Sequence, residues 1–174
     1  DEYALDTGSV GVYSLSVGHF DRFGFGDGSG SVACPCGNTT SLGMQHGCAN
    51  SKLAWGGKLS LAGSDSASAD DFRMIACNLI PANPALLFSG LDQLDGGSGL
   101  AFGNGLRLVT SSIVRRGIRV PAGDGRAVWG PGIGGAGGWP VGTPVHFQVW
   151  YRDPSHACVD VFNLTNGVTI LFQP

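Results

Sequence analysis

PVHFQVWYR (residues 144–152) places Val145, Phe147, Val149 and Tyr151 at every second position, with His146, Gln148 and Arg152 opposite. A period of two over this length describes a strand with one apolar face. The same alternation recurs on both sides. Downstream, GVTILFQP (167–174) sets Val168, Ile170 and Phe172 on one side. Upstream, IVRRGIRV (113–120) sets Val114, Ile118 and Val120 opposite Arg115 and Arg119, and residues 57–62 align Leu59 with Leu61. Near the start, SVGVYSLSV (9–17) sets Tyr13, Leu15 and Val17 against Ser14 and Ser16, in a phase that also contains Tyr3 and Leu5. Each stretch reads as a half-buried strand. No helical face repeats, and SASADDF (66–72) is the single short helix-like window. Turn signals such as GDGSG, LDGGSG, FGNG, AGDG and GPGIGGAGG separate the strands. The expectation is an all-β domain, a β-sandwich or jelly roll with long Gly-rich loops and an N-terminal extension strand.

Composition narrows the function classes. The chain has 174 residues, of which 30 are glycine, 43% are hydrophobic and only 13% are charged. That length supports one domain with a real core. A net charge of −3 argues against a nucleic-acid partner, which calls for a basic face. No apolar run reaches 18 residues, so membrane insertion is not expected. The first residue is Asp1, with no methionine, basic segment or apolar segment before the first strand. This is the look of a secreted chain after signal-peptide removal.

The five cysteines, Cys34, Cys36, Cys48, Cys77 and Cys158, point to the same extracellular setting. Cys34, Cys36, Cys48 and His46 could form a zinc set, but C-P-C is tighter than the usual zinc spacing. Disulfides are the better expectation. The odd count leaves one cysteine over, and loop closure makes Cys77–Cys158 the most stabilising pair on paper. No metal or cofactor is expected.

Catalytic sets are thin. RDPSHACVD gathers Asp153, Ser155, His156 and Asp160 in one hairpin loop, where Asp, Pro and Ser collect for turn geometry. No G-x-S-x-G elbow is present. Carboxylate pairs for glycoside hydrolysis reduce to Asp70/Asp71 and Asp92/Asp95, and Glu2 is the only glutamate. The Asp27-Gly-Ser29-Gly-Ser31 loop is too poor in carboxylates for a strong calcium site. No enzyme activity is expected. A polysaccharide partner would use exposed aromatics, and Trp129 and Trp139 flank the Gly-rich loop 130–143. Capping of the core by these tryptophans is the simpler reading.

From residue 23 onward, FGDGSGSVACPCGN (25–38), GCANS (47–51), LLFSGLDQ (86–93), FGNGLR (102–107), FQVWYRDP (147–154) and FNLTNGVTILFQP (162–174) follow in order. These stretches resemble a Gly- and Cys-containing β-module of extracellular proteins from planctomycetes and related environmental bacteria. The resemblance implies secretion and a β-fold, and it carries no activity over. It also implies cysteines where this chain has Gly24 and Leu108, and no cysteine at position 77. Cys77 is thereby suggested as the replacement partner of Cys158.

The resemblance leaves residues 1–22 as an N-terminal extended strand and 23–174 as the domain. An amphipathic strand outside its own domain can complete a neighbour's sheet. Such contacts are heterologous and propagate into open filaments. The leading expectation is therefore a secreted structural protein that polymerises head to tail. Tyr3, Leu5, Tyr13, Leu15 and Val17 would donate the strand, and the C-terminal strand is a candidate acceptor edge. A carbohydrate-binding or adhesion module using Trp129 and Trp139 is the alternative.

Overall fold

A computed structural model of the chain describes residues 20–135, 138–155 and 160–174. Tyr3, Leu5, Tyr13, Leu15, Val17, His156 and Cys158 lie outside the described residues.

The fold is all-β. In chain order the strands are β1 (Phe20–Phe23), β2 (Lys58–Ala62), β3 (Arg73–Cys77), β4 (Ala85–Gly90), β5 (Asp92–Gln93), β6 (Leu100–Phe102) and β7 (Gly105–Arg107). They continue as β8 (Val109–Thr110), β9 (Val114–Arg119), β10 (Ala127–Trp129), β11 (Pro144–Arg152), β12 (Phe162–Leu164) and β13 (Gly167–Leu171). The main sheet runs β1-β13-β11-β4-β9, with β12 pairing β11, and a second sheet runs β10-β3-β2. Every pairing in both is antiparallel. No helix among the described residues is long and apolar enough to cross a membrane.

The alternating residues of β11 and β13 do what their period requires. Val145, Phe147, Val149, Tyr151, Val168 and Ile170 join Leu87 and Ala85 of β4 in one core cluster. Leu59, Met74, Ala76 and Trp129 of the second sheet complete it. The opposite face of β11 was expected to meet solvent, yet His146 and Gln148 are buried there too. A further layer covers them. It contains the turns of residues 24–56 and the short strands β5 to β8, packed as a second cluster around Cys34, Cys48, Leu106, Leu108 and Leu164.

That layer is held by cross-links and polar anchors, since its Gly-rich turns have little ladder bonding of their own. Cys34 and Cys48 form a buried disulfide 14 residues apart, and Cys36 is disulfide-bonded as well. The Asp27 carboxylate accepts from the backbone N–H of Ser29, Gly43 and Gln45 and from Ser29 Oγ. Burial opposes ionisation of Asp27, but these donors outweigh it and hold its pKa below the usual value. Backbones approach so closely that a Cβ on Gly56 would lie 2.0 Å from Cys48 O. Replacing Cys34 and Cys48 by Ser is expected to cost about 3 kcal/mol, from the entropy of a loop of this length. Urea unfolding of the double variant against the parent chain measures it. A loss below ~1 kcal/mol would mean that the polar anchors alone suffice.

Cys77 does not take the pairing expected of it: its thiol is free. In β3 it stands opposite Lys58 of β2, so it opens with Lys58 into a shallow pocket beside Phe20 and Arg22. Gly24 and Leu108, the two positions where the resemblance implies cysteines, are neighbours. A Cβ on Gly24 would stand 2.3 Å from Leu108 Cδ2, so the leucine fills the space beside the glycine.

Three further expectations are corrected. The C-terminal strand is no edge, because β13 lies between β1 and β11. The boundary at 22/23 falls inside β1, whose four residues pair Ile170 to Gly167 of β13. Finally, β9 does not keep the phase of its sequence. Leu87 faces Gly117 but Phe88 faces Arg115, so Arg116 is an extra residue, a β-bulge. The bulge reverses the sides on either side of it. Ile118 and Arg115 then line one surface together, while Arg116 turns toward the core.

Candidate functional site

The covering layer stops short of β9. Where it ends, an open groove of about 410 Å³ lies over the main sheet. Leu86 and Phe88 of β4, Trp150 of β11 and Leu164 of β12 contribute from the sheet. They share one side because Leu86 pairs Trp150 and Phe88 pairs Gln148 across the ladder. Phe102 and Arg107 of the β6–β7 hairpin form one flank, and Ile113, Arg115 and Ile118 the other.

The hairpin flank is rigidly set. At its turn, Asn104 donates to Asp160 O and accepts from Asp160 N–H, and its own carbonyl accepts from Asn38 Nδ2. Phe162 links the hairpin to the sheet, with ring centroids 5.1 Å from Phe102 and 5.5 Å from Trp150. The β9 flank is unusually open for apolar side chains. Ile118 is 61% exposed and Ile113 41% exposed, and Phe102 across from them is 45% exposed. Isolated exposed apolar residues are ordinary, but a contiguous group around a groove marks an interaction surface.

Among the described residues β9 is also a free edge. It ends the main sheet and pairs only with β4 among the described strands. One carbonyl, Gly117 O, accepts from Trp129 Nε1. The local charge is positive. Arg115 and Arg119 are exposed, and Arg107 uses only its Nε, toward Val109 O. Arg115 makes no side-chain hydrogen bond or ion pair among the described residues. The opposite edge of the same sheet is β1, the strand that residues 1–19 lead into.

The aromatic pair of the glycan-binding alternative lies elsewhere and caps the core, as its simpler reading has it. Trp129 is fully buried and Trp139 is 6% exposed, so neither offers a flat face to a sugar. Trp139 stacks on Phe172 at 4.6 Å, donates from Nε1 to Asp70, and carries the Arg116 guanidinium 4.4 Å from its ring centroid. Arg116 also donates to Ile133 O and Gly134 O, and burial pulls its pKa below the ordinary arginine value, against the pull of Asp70. The loop 130–143 is thus pinned to the core by Trp139, Arg116 and Asp70.

Among the remaining polar candidates, Asp70, Asp71 and Asp153 have structural partners. Asp153 is buried and accepts from Ser51 N–H and Ser51 Oγ, while Ser155 is exposed. Asp71 accepts from Ser64, and Asp70 is engaged as above, so the two do not act as a pair. The disulfide removes Cys34 and Cys48 from any zinc set. His46 is buried with Nδ1 unpartnered. Burial, and then Lys58 and Arg22, lower its pKa and favour the neutral ring.

The groove residues Leu86, Phe102, Arg107, Arg115 and Trp150 escaped the sequence reading. The available signal was the pair of arginines flanking Gly117 and Ile118 in a strand too polar to be central. Comparison of the chain with family models, with curated proteins and with solved structures finds no match.

Proposed function

We propose that the protein is a secreted structural subunit that assembles head to tail into extracellular filaments or a surface matrix by β-strand addition. The observation that carries this reading is the free edge of β9 beside an apolar groove, at the opposite side of the main sheet from β1. An unpaired edge is a template for another strand, and strand addition gains specificity where alternate side chains find pockets. Residues 1–17 supply such a strand, with Tyr3, Leu5, Tyr13, Leu15 and Val17 in one phase. A donor that leaves at one edge and an acceptor at the other make a heterologous contact, which grows open-ended. The buried Cys34–Cys48 disulfide and the low charge support an oxidising, extracellular setting.

Deleting residues 1–17 is expected to abolish assembly while the circular dichroism of the domain stays β-type. Negative-stain microscopy with size-exclusion chromatography reads the outcome. Fibres that persist in the truncated chain would rule out strand donation by this segment.

A further inference from the structure

We infer that the groove between β9 and the β6–β7 hairpin receives the acidic half of the leading segment, residues 1–6, from a second copy of this chain. This rests on strand addition as proposed above, and adds where it seats and what recognises it. Three observations converge on residues 1–6 as the occupant.

The first is charge. Asp1, Glu2 and Asp6 are three of the chain's thirteen carboxylates, and residues 1–19 contain no Lys or Arg. In a strand Asp1 shares the phase of Tyr3 and Leu5 and so faces the groove, whose flanks carry Arg107 and Arg115, while Glu2 and Asp6 stand on the strand's other side. Opposite charges at the rim set register and speed of encounter more than affinity.

The second is pattern. In DEYALD the apolar Tyr3 and Leu5 alternate with Glu2, Ala4 and Asp6. Laid as a strand along β9, one face presents a phenol and an isobutyl group about 7 Å apart. They match a groove lined by Trp150, Phe102, Leu86 and Ile118. The other half of the segment, SVGVYSLSV, carries no charge and has nothing with which to address the arginines.

The third is placement. Residues 1–19 precede β1 in the chain, and the groove lies at β9, four strand spacings or roughly 19 Å from β1. A second copy placed edge to edge brings its own leading segment to this groove and leaves its own β9 open for the next. Nineteen extended residues reach about 60 Å, so folding back within one chain is the competing occupancy that the experiment must separate.

Cysteine cross-linking of the full-length chain makes that separation. In a Cys77→Ser background, one preparation carries Tyr3→Cys and another Phe102→Cys, and the two are mixed under mild oxidation. A heterodimer band on a non-reducing gel, absent from either preparation alone, is expected. A chain carrying both substitutions should give a ladder of multimers. If it gives only a cross-linked monomer, the segment folds back on its own chain and the inference is overturned. If fibres form but neither arrangement cross-links, the groove is not the seat although strand addition survives. If the parent chain forms no fibres, the reading of the protein as an assembling subunit falls first.

Charge exchange gives a second, independent readout. Arg107→Glu with Arg115→Glu is expected to raise the concentration for half-maximal assembly roughly tenfold or more, because like charges then face each other. Both arginines are on the surface of the groove, so circular dichroism should be unchanged. Adding Asp1→Lys, Glu2→Lys and Asp6→Lys to the same chain should restore assembly. Failure of that rescue in a folded chain would count against residues 1–6 as the occupant.

Discussion

Trp139→Ala is expected to destabilise the protein by about 3–5 kcal/mol, the range for removing a large buried aromatic. The indole fills space among Phe72, Phe147 and Phe172, with centroids 5.3, 5.5 and 4.6 Å away. Its loss also removes the donor to Asp70 Oδ1 and the ring beneath Arg116. Arg116 then keeps only its bonds to Ser89, Ile133 and Gly134 in a partly buried site. The stop between the main core and loop 130–143 is removed, so the loop should lose its fixed position as well. In a domain of this size the thermal midpoint should fall by roughly 10 °C. Scanning calorimetry measures it, with Trp55→Ala as the control. Trp55 is 43% exposed, and its removal should change stability by about 0.5 kcal/mol at most. A Trp139 loss as small as the control's would mean that the aromatic cluster closes over the gap.

Gln148→Leu carries the second large effect, and its direction is opposite to what hydrophobicity suggests. Gln148 is fully buried in the middle of β11. Its Nε2 donates to Leu106 O and Thr165 O, both at 2.8 Å, and its Oε1 accepts from Leu108 N–H at 3.0 Å. One side chain therefore satisfies three backbone groups, Leu106 O and Leu108 N–H of the covering layer and Thr165 O between β12 and β13. Leucine has nearly the same volume but leaves all three unpaired. Each unsatisfied buried group costs about 1–3 kcal/mol, so a total loss of roughly 3 kcal/mol or more is expected in urea unfolding. The covering layer should also loosen before the main sheet. Hydrogen exchange at Leu106 and Leu108 should rise ahead of that at Val149. Equal protection of the three amides in the variant would show that water replaces the side chain without cost.

Gln148 also shows where reading the sequence stops. The period of two in residues 144–152 gives the strand and its core face, because Val145, Phe147, Val149 and Tyr151 reach the same cluster. It assigns His146 and Gln148 to the polar side, and a polar side is normally the solvent side. Alternation reports which residues share a face and carries no record of a layer assembled from distant turns. Those turns are anchored by a disulfide and by Asp27, Asn38 and Asn104, none of which has a periodic signature.

The β9 strand makes the same point about the candidate site. Its existence and its flanking arginines are visible in IVRRGIRV. Its phase is not, because the bulge at Arg116 is set by the register with β4. Read without the bulge, Ile118 and Arg115 face opposite ways. With it, they flank one groove, and Arg116 alone faces Trp139. The tryptophans follow the simpler of their two readings, that of capping the core. The Gly-rich loop folds Trp139 down onto Phe172 rather than holding it out.

The sequence by itself determined the all-β class, the strands within residues 57–62, 113–120, 144–152 and 167–174, and the oxidised cysteine cluster. These follow from local period, turn chemistry and composition. Tertiary structure alone decided that Cys77 stays free, that β13 is interior, that both faces of β11 are covered, and that the uncovered remainder is a groove beside the free edge of β9. Each of these depends on which segment lies across from which, and on where a covering layer ends. That information resides in long-range pairing rather than in any stretch of the chain.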